Sequence, residues 1–281
     1  MHYTYYDEVE TDIEISSTPS DSDVKYLQSD EDDFEVKDED DVEIEDVDYN
    51  ELLEKISNFN VLKIDQQDLE NSAQYIEWKN KIDQYQVQWY TYIEKYCSNF
   101  RGYVWRLSDL WYSIIDTNKE LPIRYLEIGT LCGANLISVC KNFTHPDSKF
   151  ECIDPWEDHD DYNEYKYLQS SNFDNFLFNI KESGEENRIV YYKDYSHLVL
   201  PKLQNETYDL IYVDGNHESF AVLEDGVNSF RKLKPGGWLI FDDYYFSTST
   251  KLGIDSFIEC YSSKILNKIV EYGQCYIQKC F

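Results

Sequence analysis

Five carboxylates in this sequence stand where chemistry would need them. Glu127, Asp154, Asp214, Asp242 and Asp243 each sit at or just beyond the end of a short apolar run. Oxygen-only clusters suit Mg2+ or Mn2+. Asp214, Asp242 and Asp243 would repel one another at neighbouring positions unless a cation lay between them. The same region holds a Gly-rich segment, Glu127-Ile128-Gly129-Thr130-Leu131-Cys132-Gly133, and such segments bring backbone N–H groups close to an anionic or polar ligand. The chemistry on offer is ligand capture by backbone and carboxylates, with a cation beside it.

Those residues need elements to hold them. The apolar run at 123–128 reads as a strand, Gly129 to Gly133 as a turn, and 134–140 as a helix. Gly129 would let the backbone approach a ligand, and Gly133 would let the helix start against the strand. Further strands are expected at 150–154, 188–192, 208–215 and 238–241. Leu233-Lys234-Pro235-Gly236-Gly237 reads as a sharp turn before the last of these. Strands at this spacing, with helical intervals between them, make βαβ units and a parallel sheet. Each acid then lies at the C-terminal edge, where open α/β sheets bind ligands. Asp154, at the tip of the second strand, is placed to accept hydrogen bonds from ribose hydroxyls. The spacing is not the dinucleotide fingerprint, because Thr130 and Leu131 follow Gly129, and no Gly-Lys-Ser/Thr marks a P-loop.

The series Glu-Ile-Gly-Thr-x-x-Gly, Ile-Asp-Pro-Trp, Asp-x-Ile-Tyr-Val-Asp-Gly-Asn-His, Leu-Lys-Pro-Gly-Gly-Trp and Phe-Asp-Asp-Tyr resembles the class I S-adenosylmethionine (SAM) methyltransferases. It is similar to the group that includes the sugar O-methyltransferases of macrolide and aminocoumarin pathways, with bacterial and viral relatives. The resemblance covers residues 102–279. It implies a Rossmann-like α/β fold: a seven-stranded, mostly parallel sheet with an antiparallel last strand and helices on both faces. It also implies a SAM site, with Glu127, Gly129, Thr130 and Gly133 at the methionine end and Asp154 at the ribose. Asp194 and Tyr195, after the third strand, would lie near the adenine. In the resembled sugar methyltransferases the acids after strands four and five hold Mg2+, which here gives Asp214, Asp242 and Asp243. A side chain near the first of them acts as base. Asn216 stands where some relatives carry that Asp, which moves the expectation to His217, with Asp214 beside it. Histidine titrates in the right range for a base.

Composition sets the boundaries. The chain has 281 residues, with 56 acidic against 25 basic residues, for a net charge of −31. Residues 1–50 hold 20 of those acids and two lysines, a local −18. Apolar residues there are scattered singly, so this segment reads as a disordered acidic tail. Residues 51–120 read as a helical appendage and 121–281 as the methyltransferase domain. An amphipathic helix is expected over 69–97 and a second over 104–115. Asp158-His159-Asp160-Asp161 reads as a solvated loop, because four adjacent side chains do not readily aim at one ion.

The acidity argues against nucleic acid as a partner, since phosphates are bound by Lys and Arg and no basic stripe is present. Seven cysteines without a Cys-x-x-Cys motif read as reduced thiols in an intracellular, cytoplasmic setting, and a viral origin is compatible. No stretch reaches the length of a membrane span. The expected activity is SAM-dependent O-methylation of a small polar acceptor, with a sugar hydroxyl preferred and Mg2+ assisting. The alternatives are a protein or nucleic-acid methyltransferase and a non-catalytic interaction protein on the same fold. An oligomer is compatible with the sequence.

Overall fold

The computed structural model describes residues 65–104, 107–108, 112, 114–115, 120–158 and 169–281. The acidic segment 1–50 lies outside these residues, as do His159, Asp160, Asp161 and much of the helix expected over 104–115.

Seven strands form one sheet in the order β3-β2-β1-β4-β5-β7-β6. They are β1 (Arg124–Ile128), β2 (Lys149–Ile153), β3 (Ile189–Tyr192), β4 (Tyr208–Val213), β5 (Leu233–Phe241), β6 (Ile265–Glu271) and β7 (Gln274–Lys279). The first five are parallel, and β7 runs antiparallel to both β5 and β6. The expected architecture is therefore present. The strand order reverses between β1 and β4, which opens the crevice where such sheets bind ligands.

Register matters more for the site than topology. Ile128 pairs with Ile153, which pairs with Tyr192; on the other side Ile128 pairs with Val213, which pairs with Phe241. Gly129, Asp154, Asp214 and Asp242 each follow one of these residues, so they fall in a single row. Backbone bonds carry the row past the strand ends: Gly129 N–H to the Ile153 carbonyl at 2.9 Å, Asp214 N–H to Ile128 at 2.8 Å and Asp242 N–H to Val213 at 2.9 Å.

The alternation of side chains splits the core in two. Tyr125, Phe150, Cys152, Leu210, Tyr212 and Ile240 pack in one cluster, and Leu126, Ile128, Ile153, Ile211, Val213, Leu239 and Phe241 in the other. Both faces of the central strands are buried, which is why these strands read as continuous apolar runs.

The turn expected at 233–237 is a bulge within a longer strand. Tyr208 pairs with Leu233 and Leu210 with Trp238, so Lys234 to Gly237 loop out of the ladder, with Gly236 at φ +77°. The final hairpin turns on Tyr272 and Gly273, both at positive φ, as a two-residue turn requires.

Seven helices complete the described residues: α1 (Gln66–Glu70), α2 (Ala73–Glu94), α3 (Ala134–Asn142), α4 (Gln169–Glu182), α5 (Ser196–Val199), α6 (Ser219–Lys232) and α7 (Thr248–Tyr261). α2 falls within the 69–97 span expected to be helical and is started by Ser72, whose hydroxyl accepts from the Tyr75 N–H at 3.2 Å. Among the described residues no helix is long and apolar enough to cross a membrane. All seven cysteines are free thiols.

Candidate active site

The turn after β1 is bound from three sides. Gly129 sits at φ +77°, and a Cβ there would meet the Asp214 carbonyl oxygen at 1.9 Å. The space a side chain would need is taken by the chain just beyond the neighbouring strand. Gly133, at φ +84°, opens α3, and a Cβ there would meet the Phe176 ring of α4 at 3.0 Å. Leu131 between them is also left-handed, at φ 48°.

Asp154 closes the turn. One carboxylate oxygen accepts from the Thr130 N–H at 3.0 Å and the Leu131 N–H at 2.9 Å, and the other from the Trp156 N–H at 2.8 Å. Trp156 then donates its indole N–H to the Leu131 carbonyl at 2.8 Å. The indole is 2% exposed and lies in a nest of Phe173, Phe176 and Tyr191. Asn179 of α4 adds a bond to the Cys132 carbonyl at 2.9 Å. Asp154 is thus a strap on the turn at the tip of β2. Trp156 and Asn179 escaped the sequence reading; the only signal was the tryptophan directly after Asp-Pro.

Glu127 is 1% exposed and lies on the Tyr125 face of the sheet. Its carboxylate accepts from Tyr125 OH at 2.5 Å, Thr130 OH at 2.7 Å and the Asn135 amide at 2.9 Å. Burial pushes the carboxyl up to about 7, and these three bonds pull the other way by favouring the charged form. A cationic ligand beside it would complete the balance.

After β3, Asp194 accepts from the Tyr195 N–H at 2.8 Å, and Tyr195 OH donates to Glu157 at 3.0 Å. Burial and that acidic partner raise the Tyr195 hydroxyl above its ordinary value. The pair links the loops that follow β2 and β3.

Beyond β4 and β5 a second centre forms. His217 Nε2 lies 3.1 Å from Asp243 and 3.9 Å from Asp214. One ligand atom from each of these three residues lies within 4.8 Å of the others. The His217 side chain is 12% exposed, with its ring 4.8 Å from that of Phe246. Asp243 adopts a left-handed φ of 55°, an uncommon conformation for a residue with a side chain.

The expected acidic trio is therefore regrouped. Asp214 and Asp243 come together with His217, while Asp242 turns elsewhere. Asp242 accepts from Tyr212 OH at 2.7 Å and from the Asp243 N–H at 2.8 Å, and Gln274 and Tyr276 extend the same buried chain.

Residues 126–244 match a family described as a methyltransferase domain. That segment runs from β1 to just past Asp243 and contains every centre described above. No curated protein sequence matches the chain. Among solved structures, a Staphylococcus aureus protein provisionally assigned as a caffeoyl-CoA O-methyltransferase aligns with a TM-score of 0.50 at 17% identity, over 73% of this chain and 99% of that one. The O-methyltransferase TomG of Streptomyces achromogenes, solved with SAM, aligns at 0.47 and 16% identity, over 61% and 77%. The MycE methyltransferase of mycinamycin biosynthesis, solved with Mg, SAH and mycinamycin VI, aligns at 0.45 and 15%, over 67% and 54%. At these identities the likeness is one of fold.

Proposed function

We propose that the chain is a class I SAM-dependent methyltransferase, a reading supported by the match of residues 126–244 to a family described as a methyltransferase domain. We propose that it methylates a hydroxyl of a small polar acceptor, in the sugar class, with a divalent cation assisting. The observation that carries this reading is the Asp214–His217–Asp243 group beside the Gly129 turn, two polar centres at one switch point.

On this reading the Gly129–Gly133 turn and Glu127 receive the methionine end of SAM, Asp154 the ribose, and Asp194 with Tyr195 the adenine. Methyl transfer is an in-line displacement: an O–C bond forms as the S–C bond breaks, and the acceptor loses a proton. His217 takes that proton on Nδ1, because Nε2 faces Asp243. Asp243, 3.1 Å away, orients the ring and stabilises the imidazolium that results. Phe246 against the imidazole keeps water from one of its faces.

The paired carboxylates of Asp214 and Asp243 fit a hard divalent cation such as Mg2+ or Mn2+. Asp214 and Asp243 would hold the ion. Bound there, it would lower the pKa of the acceptor hydroxyl.

Two results test this. EDTA is expected to abolish turnover of a nucleotide-sugar acceptor, with Mg2+ or Mn2+ restoring it and SAM binding intact throughout. Full turnover in EDTA would remove the cation from the mechanism. Separately, Asp154→Ala leaves three backbone N–H groups without their acceptor and removes a ribose partner. It should weaken SAM binding in calorimetry by about 1–3 kcal/mol. An unchanged affinity would take Asp154 out of the cofactor site.

A further inference from the structure

His217 and Asp243 come from different loops, yet one helix holds both. The first turn of α7 grips the His217 segment. Thr250, 1% exposed, donates its hydroxyl to the His217 carbonyl at 3.1 Å, and Ser249 accepts from the Ser219 N–H at 2.9 Å. One turn further along, α7 grips the residue after Asp243. Tyr244, 7% exposed, donates its hydroxyl to Asp255 at 2.7 Å. Lys251 donates to the same hydroxyl at 3.0 Å, lies over the ring at 4.7 Å and pairs with Asp255. The Tyr244 N–H is bound to the Gly273 carbonyl at 2.8 Å. Tyr244 is therefore anchored by both backbone and side chain, directly beside the left-handed Asp243.

We propose that α7 is the device that sets the spacing of the reaction centre, with Thr250 positioning His217, and Tyr244, through Asp255 and Lys251, positioning Asp243. None of these side chains needs to touch acceptor or cofactor. Their role is to hold two loop residues at a fixed separation from one rigid element, as outer partners do for the ligands of a metal site. The proposal rests on the reading of His217 and Asp243 as reacting groups.

The test uses Tyr244→Phe and Thr250→Val, which remove one hydroxyl each and keep the side-chain shape. The full chain is labelled with 15N-histidine, and the His217 signal is assigned by its loss in His217→Gln. The expected result is that both variants shift the His217 imidazole resonance toward that of Asp243→Asn. Mn2+ titration with S-adenosylhomocysteine present should also weaken by about 10–100-fold. Wild-type values for both readouts in the folded variants would overturn the proposal. A wild-type chain that binds no Mn2+ would instead overturn the cation reading, and the imidazole resonance would still decide the role of α7. If Tyr244→Phe does not fold, Asp255→Asn keeps the tyrosine and weakens only its anchor. It should give the same shift.

Discussion

Replacing His217 with alanine is expected to lower kcat by about 10²–10⁴-fold and to leave the SAM dissociation constant nearly unchanged. The separation of effects follows from where the residue sits. The turn proposed to receive SAM is held by Asp154, Trp156 and Asn179. His217 is held instead from α7 and faces Asp243 and Asp214. Removing the imidazole leaves both carboxylates, so cation binding should weaken less than turnover. Steady-state kinetics with calorimetric SAM titration provide the check. A variant with wild-type kcat would show that the proton leaves by another route, and Asp243 would then be the next candidate base.

Gly129→Ala is expected to be the most damaging single methyl group in the domain. The new Cβ would lie 1.9 Å from the Asp214 carbonyl oxygen and 2.8 Å from the Gly215 Cα, both backbone atoms of a central region. No flexible side chain is there to yield. A left-handed φ adds about 1–2 kcal/mol, and overpacking against fixed atoms typically adds about 1–3 kcal/mol. A melting temperature lower by on the order of 10 °C is the corresponding result for a domain of this size, together with loss of measurable SAM binding. Gly184→Ala separates the two effects. Its φ is +76°, but nothing lies within 4 Å of the added carbon, so only the conformational cost remains. Equal melting temperatures for the two variants would refute the clash.

The parallel sheet was legible because its central strands are buried on both faces and end in a glycine or an acid, a pattern that survives without any knowledge of contacts. The positions of Gly129, Asp154, Asp214 and Asp242 in one row follow from that pattern and an in-register sheet. Direction was not legible. Asp242 and Asp243 are adjacent letters, and only the fold shows that one joins Tyr212 while the other meets His217. The reason for Gly129 was hidden for a similar cause, since its partner Asp214 lies 85 residues away in the chain. Trp156 went unrecognised because its partners, the Leu131 carbonyl and an aromatic nest on α4, are assembled only by tertiary structure. Of the N-terminal appendage, α2 was legible from its three- and four-residue periodicity.

The pairing of Ile128 with both Ile153 and Val213, and onward to Tyr192 and Phe241, divides the chain into parts that can and cannot change length. Inserting or deleting one residue within any of these strands would move its acid along the edge by about 3.3 Å and turn it to the opposite face. The same change in a loop beyond the row leaves the row intact. Variation in acceptor preference on this scaffold should therefore accumulate as insertions and deletions after the strand tips, with the five parallel strands constant in length.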